Sequence, residues 1–178
     1  MIHMNSGAQL NVFNPRPHDI RLADIVFGLS REARWNGQLE VNINVAQHSC
    51  MVCQQSPRDI RKFALLHDAT EGLGLKDLPA PVKDGMEEYK AVEKVLQRMV
   101  YMKYIGREPD ADEKKELKKW DVNVTKTEAY RWHPHYDEKW FPESRVLAIP
   151  ELASPWDEQT ARSEMNEWLR ELGIKEKV

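Results

Sequence analysis

The adjacent residues His67 and Asp68 are the part of the sequence with the clearest potential for chemistry. They lie near the end of an apolar run, Phe63-Ala-Leu-Leu-His-Asp-Ala-Thr-Glu71, which has the composition of a buried helix. An imidazole and a carboxylate are costly to bury without partners. A divalent metal ion, bound by one neutral nitrogen and one anionic oxygen, would compensate both groups. The pair therefore suggests a metal site suited to hydrolysis.

Two further candidate ligands, His48 and Asp121, each interrupt an apolar helical stripe. A hydrogen bond within the core would explain any one of these residues taken alone. Four of them on apolar faces instead predict one metal site with His48, His67, Asp68 and Asp121 as ligands. Two imidazoles and two carboxylates suit one divalent ion, which could be Zn, Mn, Co, Fe, Ni or Mg.

The elements that must position these residues are predicted to be helices, separated by proline and glycine. Helices are expected over residues 19–33, 44–55, 57–71, 86–104, 111–131 and 157–172. The third of these would carry His67 and Asp68 about 100° apart, with Glu71 on the same face as the pair. Residues 75–84 contain two prolines and are expected to be irregular. Only residues 8–13 and 38–45 have weak strand patterns, so the predicted fold class is all-α.

Length and composition favour one domain over residues 1–178, with a core in 19–131 and a C-terminal excursion and helix in 132–178. The charged fraction is 31% and the net charge is −3, which gives no basic footprint for nucleic acid. No apolar run is long enough for a membrane span and no signal peptide is recognisable, so a cytoplasmic protein is expected. Long amphipathic helices and six tryptophans favour a homo-oligomer.

The two cysteines, Cys50 and Cys53, have the C-x-x-C spacing of a redox pair or of half a zinc site. A zinc site would need a second pair, and a redox motif would need a βαβ context, and neither pattern is present. The prediction is that both are small apolar residues of a helix.

The order His48, His67-Asp68, Asp121 resembles that of the HD superfamily of metal-dependent phosphohydrolases. The segments 67–71 and 77–83 resemble the signature of its 5'-deoxynucleotidase branch and of phage-encoded relatives, including enzymes that hydrolyse dATP. The segments 34–37 and 44–49 are similar to the region before the first ligand in the same group. The resemblance covers nearly the whole chain and implies an HD-domain helical bundle.

Some branches of this superfamily hold a second metal with extra histidines between the His-Asp pair and the last Asp. The six histidines here lie at positions 3, 18, 48, 67, 133 and 135. None falls between Asp68 and Asp121, so the resemblance implies a single metal ion.

The resemblance also implies two catalytic carboxylates. Glu71 would activate a water molecule or protonate the leaving oxygen, since it shares the face of the ligands. Asp77 is the second, although this chain has one more residue between Glu71 and Asp77 than the deoxynucleotidase pattern. A simple loop cap is the alternative role for Asp77.

Phosphate recognition is expected to use cationic side chains. Arg34 and Lys83 match the family pattern, and Lys126 is a third candidate that could equally belong to a solvated helix face. Trp35 offers a large stacking surface for a nucleobase, with a role in the core as the alternative.

The predicted function is therefore metal-dependent hydrolysis of a small deoxynucleotide, leaning to deoxyadenosine nucleotides. The motifs do not separate a deoxynucleoside monophosphate 5'-nucleotidase from a dATP triphosphohydrolase. A nucleotide-binding sensor with a metal site and little turnover is the alternative.

Overall fold

The computed structural model describes residues 1–177, and these residues fold mostly into α-helices around one hydrophobic core. Two short antiparallel strands near the N-terminus, β1 and β2, pair Ile2 with Leu10 and His3 with Gln9. The strands are β1 (Ile2–His3) and β2 (Gln9–Leu10). The helices are α1 (Leu22–Leu29), α2 (Val45–Gln55), α3 (Arg61–Leu65), α4 (Ala69–Gly72), α5 (Ala80–Lys83), α6 (Glu87–Tyr104), α7 (Ala111–Trp132) and α8 (Glu158–Glu171). The all-α prediction is confirmed at this level.

Capping side chains lie at the start of three helices, α2, α7 and α8. Asn44 accepts a hydrogen bond from the Gln47 amide at the start of α2, and Asp157 accepts one from the Thr160 amide at the start of α8. At the start of α7, Asp110 and Glu113 form a reciprocal capping box. Such caps satisfy amide groups that have no partner within the helix.

The predicted third helix over residues 57–71 is wrong as a continuous element. The structure divides it into α3 and α4, and the backbone at Leu66 and Asp68 departs from helical geometry, with ψ angles of 12° and 17°. The other predicted helices are present, although α1 is much shorter than residues 19–33. Of the two weak strand patterns, residues 8–13 overlap β2, and residues 38–45 contribute only a bridge between Asn44 and Ala33.

A close backbone contact fixes α4 against α1. A Cβ atom added at Gly28 would lie 2.1 Å from the carbonyl oxygen of Gly72, and one added at Gly72 would lie 2.4 Å from that of Ile25. Glycine is required where two backbones approach this closely. Because Glu71 immediately precedes Gly72, this contact also sets the position of the Glu71 carboxyl group.

The C-terminal region belongs to the same core as the rest of the chain. Ala161, Met165 and Leu169 of α8 are buried among residues of the main cluster, and α8 packs against α2. Within residues 1–177, none of the helices is long and apolar enough to cross a membrane.

Candidate metal centre and adjoining cavity

The break between α3 and α4 brings the side chains of His67 and Asp68 together. In a continuous helix, neighbouring side chains diverge by about 100°. Here the Nε2 atom of His67 lies 3.1 Å from the Oδ2 atom of Asp68. The bend thus allows two consecutive residues to serve one point in space.

The hydrogen bond that His67 makes through Nδ1 leaves its Nε2 atom as the ring nitrogen that can bind a metal. Its Nδ1 atom lies 2.7 Å from the carbonyl oxygen of Ala64, and a carbonyl can only accept, so Nδ1 carries the proton. In the neutral ring, Nε2 then carries the lone pair. Among residues 1–177, the buried Nε2 atom has no hydrogen-bond partner.

His48 on α2 and Asp121 on α7 complete the group. The Nε2 atom of His48 lies 3.2 Å from Asp121 Oδ1 and 3.8 Å from Asp68 Oδ2. The Nε2 atom of His67 also lies 3.8 Å from Asp121 Oδ1. All four predicted metal ligands therefore meet in one cluster.

The spacing and chemistry of this cluster fit a divalent metal. Ligand atoms about 2.0–2.2 Å from a metal lie about 3 Å apart at a right angle and about 3.4 Å apart at the tetrahedral angle. The four separations between a histidine Nε2 atom and an aspartate oxygen, 3.1–3.8 Å, are close to these values. One donor atom each from His48, His67 and Asp121 also lies within 4.8 Å of the others. The orphaned Nε2 atom of His67 is the kind of buried group that a metal would satisfy.

The two aspartates of the cluster are anionic at neutral pH. Burial raises the pKa of Asp68, but the adjacent His67 and His48 lower it further, so that its pKa is about 2. Burial also raises the pKa of Asp121, but the hydrogen bond from His48 and the proximity of His67 bring it well below its usual value. The cluster therefore offers the negative charge that a cation requires.

Glu71 has the opposite character. Burial, together with the charges of Asp68 and Asp77, raises the pKa of Glu71 to about 10. Within the described residues, its Oε2 atom is buried and has no hydrogen-bond partner. A carboxyl group that is protonated near neutral pH can donate a proton to a leaving oxygen.

An open cavity of about 580 Å³ adjoins the cluster. Its lining includes all of the predicted catalytic residues and all but one of the predicted substrate-binding residues. These are Glu71, Asp77, Arg34, Trp35 and Lys83, and the ligands Asp68 and Asp121 also reach its surface. The sequence prediction therefore brought together residues that share one cavity.

Both predicted cationic residues in the cavity wall are paired with carboxylates. Arg34 donates from Nη1 to Asp77 Oδ2 at 3.2 Å and from Nη2 to Glu128 Oε2 at 3.4 Å. Burial would lower the pKa of Arg34, but these two carboxylates raise it, so the guanidinium is charged. Lys83 donates to Glu93 Oε1 at 2.7 Å. The side-chain hydrogen bond of Asp77 is thus to Arg34 rather than a cap of its own loop.

Trp35 lies in the cavity wall on an unusual backbone. Trp35 and Asn36 have φ angles of 56° and 49°, a region that side-chain-bearing residues adopt at an energetic cost. The indole Nε1 atom donates to Glu128 Oε2 at 3.0 Å. The ring packs edge-on against Phe141, which also lines the cavity, with their centroids 6.2 Å apart.

The assignment of Lys126 to the substrate is corrected. Its side chain is buried, and its ammonium group donates to the backbone carbonyls of Phe141 at 3.2 Å and Ser144 at 3.0 Å. Lys126 follows Thr125 in α7 but, unlike Thr125, does not line the cavity. Its role is to hold the segment that carries Phe141.

Three residues near the site were not assigned from the sequence. Glu128 is fully buried, and it contacts His48, Trp35 and Arg34. Thr125 and Lys118 both line the cavity. Lys118 also donates a hydrogen bond to Asp121 at 2.8 Å. Positions 118, 121, 125 and 128 are spaced by three or four residues and so share one helical face. That spacing, read outward from Asp121, is the signal that would have found them.

Cys50 and Cys53 are both free and buried, as expected of apolar helical residues. Burial raises the pKa of the Cys53 thiol to about 12 and that of Cys50 well above its usual value. Protonated, buried thiols are poor nucleophiles and poor metal ligands.

Comparison with known proteins finds partial similarity. No protein-family model matches the chain. Over 86 residues it is 37% identical to the uncharacterized protein YfdR of Escherichia coli strain K12, which covers 48% of each chain. Over 111 residues it is 36% identical to the uncharacterized protein RCAP_rcc00048 of Rhodobacter capsulatus, which covers 57% of this chain and 56% of the relative. The chain thus matches about half the length of these two relatives, and neither name states an activity.

Proposed function

We propose that this protein is a metal-dependent phosphohydrolase of the HD type that acts on deoxynucleotides. The observation that carries the proposal is the cluster of His48, His67, Asp68 and Asp121 beside a cavity with cationic and aromatic walls. A metal site alone serves many purposes, but phosphate esters also need cations, and a nucleobase needs a flat apolar surface. All three features meet in this cavity.

In this proposal the four ligands hold one divalent ion. When bound, such an ion polarises a phosphoryl oxygen and lowers the pKa of a coordinated water molecule. Arg34 and Lys83 then bind the remaining phosphate oxygens, and Asp77 orients the guanidinium of Arg34. Glu71 protonates the leaving oxygen, a role that fits its raised pKa and its place in the cavity wall.

Trp35 and Phe141 form the side of the cavity that we assign to the base. Their ring planes are inclined at 82°, so a base stacked on one ring would meet the edge of the other. The larger ring system of a purine would contact both. A preference for purine deoxynucleotides is therefore part of the proposal, and the choice of adenine rests on the resemblance to phage enzymes that hydrolyse dATP.

The experiment that tests this function measures phosphate release from a panel of deoxynucleoside mono- and triphosphates in the presence of Mn²⁺, Co²⁺, Mg²⁺ or Zn²⁺. Product chromatography would show which bond breaks. We expect metal-dependent turnover of one base, with Asp68→Asn inactive and Asp59→Asn, an exposed aspartate, unaffected.

Glu71→Gln separates the enzyme from the alternative sensor. In an enzyme that uses Glu71 as an acid, this variant should bind nucleotide and metal normally but lose roughly 10²- to 10⁴-fold in kcat. Tight nucleotide binding by the unmodified protein without turnover of any substrate would overturn the hydrolase proposal and favour the sensor.

A further inference from the structure

The Glu128 carboxylate contacts three side chains of the site, His48, Trp35 and Arg34, although the sequence did not assign it a role. Its side chain is fully buried on α7, and nitrogen atoms of three other side chains lie within hydrogen-bond distance of it. A buried carboxylate of this kind persists only when donors surround it.

Its two oxygens face different parts of the site. Oε1 lies 2.8 Å from the Nδ1 atom of His48, whereas Oε2 accepts from Trp35 Nε1 at 3.0 Å and from Arg34 Nη2 at 3.4 Å. One oxygen thus serves a metal ligand, and the other serves the wall of the cavity. The three donors come from α2 and from the turn at residues 34–37.

The contact with His48 determines which ring nitrogen can bind a metal. Oε2 of Glu128 already accepts from Trp35 and Arg34, and Oε1 faces Nδ1 of His48 as a hydrogen-bond acceptor. Nδ1 therefore donates to Oε1, and the lone pair of the neutral ring lies on Nε2, the atom that faces Asp121 and Asp68. A carboxylate behind a metal-binding histidine fixes both the tautomer and the ring orientation. For His67 the corresponding partner is a backbone carbonyl, that of Ala64.

The contact with Trp35 supports a backbone that is unfavourable by itself. Trp35 and Asn36 are consecutive residues with positive φ, and neither is glycine. Such a conformation persists only where the surrounding structure holds it. The bonds from Trp35 and Arg34 to the same carboxylate oxygen supply that restraint.

We propose that Glu128 is a positioning residue that orients His48 toward the metal and, at the same time, holds Trp35 and Arg34 in the substrate-facing wall. The inference deepens the proposed function, because it links metal affinity to substrate recognition through one side chain. Its consequence is that a change at Glu128 affects both properties, whereas a change at Trp35 affects recognition alone.

The test uses Co²⁺ binding by the metal-free 178-residue protein, measured by calorimetry and by the visible absorption of the bound ion. Glu128→Gln keeps the shape of the side chain but replaces one oxygen with an amide donor. Whichever way the amide turns, that donor faces an N–H group of His48 or of Trp35 and Arg34. We expect Co²⁺ affinity to fall about 10- to 100-fold. Glu128→Asp, which keeps the charge, should recover part of the loss.

Two matched variants serve as controls. Trp35→Phe removes one donor to Glu128 and leaves its contact with His48, so Co²⁺ affinity should stay within about twofold while KM rises. Glu113→Gln makes the same chemical change near the start of α7, far from the cluster, and should alter neither quantity. Unchanged Co²⁺ affinity in Glu128→Gln would overturn the inference. If that variant does not fold, Glu128→Asp takes its place, and wild-type affinity in Glu128→Asp would have the same meaning.

Measurements of KM and kcat at saturating Co²⁺ complete the test. A raised KM in both Glu128→Gln and Trp35→Phe supports the link to the wall, and a raised KM in Trp35→Phe alone overturns it. Failure of the proposed function is distinguishable, because Co²⁺ affinity is measured without substrate. A protein that binds Co²⁺ and loses affinity in Glu128→Gln, but hydrolyses nothing, would retain Glu128 as the orienting group of His48 and reject the hydrolase.

Discussion

The helix α7 and the α3–α4 segment supply polar residues to the same site in opposite ways. α7 is one continuous helix of 22 residues, and it presents Asp121, Thr125 and Glu128 on one face through its regular spacing. The α3–α4 segment presents His67 and Asp68, which are adjacent, and it does so by interrupting the helix between them. The regular spacing of α7 therefore positions Asp121, Thr125 and Glu128, whereas the break between α3 and α4 positions His67 and Asp68.

The difference shows how each half is held in place. α7 is stabilised at its start by its capping box and further along by packing against α2 and α3. α4 is only four residues long and is held by the direct backbone contact of Gly72 with α1. The short segment should therefore respond strongly to a change at one atom, and the long helix should tolerate changes at its end.

The first prediction concerns Gly28→Ala, which disturbs the contact between α1 and α4 and has the largest expected effect on stability. The added methyl group would lie 2.1 Å from the Gly72 carbonyl oxygen, which the backbone can relieve only by moving α4 away from α1. We expect the free energy of unfolding to fall by about 3 kcal/mol, together with a loss of turnover as Glu71 moves. Urea unfolding followed by circular dichroism measures the first quantity.

Gly85→Ala is the matched control for this experiment. A Cβ atom at Gly85 would lie 3.6 Å from the Val82 carbonyl oxygen, an ordinary contact, so a change within about 0.5 kcal/mol is expected. Equal stability of the two variants would show that the α1–α4 contact does not hold the bend.

The second prediction concerns Lys126→Met, which removes a buried ammonium from the middle of α7. Two backbone carbonyls, those of Phe141 and Ser144, lose their donor, which should cost about 1–3 kcal/mol of stability. Because Phe141 lines the cavity, KM should rise while kcat is nearly retained. Steady-state kinetics would measure both constants, with Lys115→Met, a change at an exposed lysine of the same helix, as the control. A lower kcat with unchanged KM in Lys126→Met would contradict the prediction.

The third prediction, Asp110→Ala, has the smallest expected effect. It removes the capping side chain of α7, which should lower the free energy of unfolding by about 1 kcal/mol. Asp121 lies three turns further along the helix, so turnover and Co²⁺ affinity should not change. Asp112→Ala, in the same first turn, is the control and should cost less. A loss of metal affinity in Asp110→Ala would show that α7 does not act as a rigid support.

Sequence periodicity was sufficient to predict the parts of the molecule that are regular. The bounds of α2 and α7 agree closely with the predicted ranges, and His48 and Asp121 interrupt apolar stripes that do face the core. A polar residue within such a stripe must be satisfied inside the protein, so its position already indicates a partner. The resemblance to HD phosphohydrolases added Arg34, Trp35 and Lys83, and these line the same cavity.

The remaining features depend on tertiary contacts that no local pattern encodes. The local pattern from Phe63 to Glu71 predicts one helix. It does not reveal the close approach of Gly28 and Gly72, because these two residues are far apart in the chain. Lys126 and Glu128 are both charged residues of a charged helix, and sequence alone did not distinguish a loop anchor from a site residue. Only the packing of residues 141–144 on one side, and of residues 34–35 on the other, assigns their roles.

The bend at His67 and Asp68 also has a consequence for the order in which the cluster assembles. These two donors are covalent neighbours, so bringing them together closes no loop of chain. His48 and Asp121 lie at the far ends of long intervening segments, and joining them requires the loop-closure entropy of each segment to be overcome. The local pair can therefore form as soon as the bend does, whereas all four donors meet only when α2 and α7 have docked. Any ligand that needs all four donors will bind the native state selectively and will draw the folding equilibrium toward it.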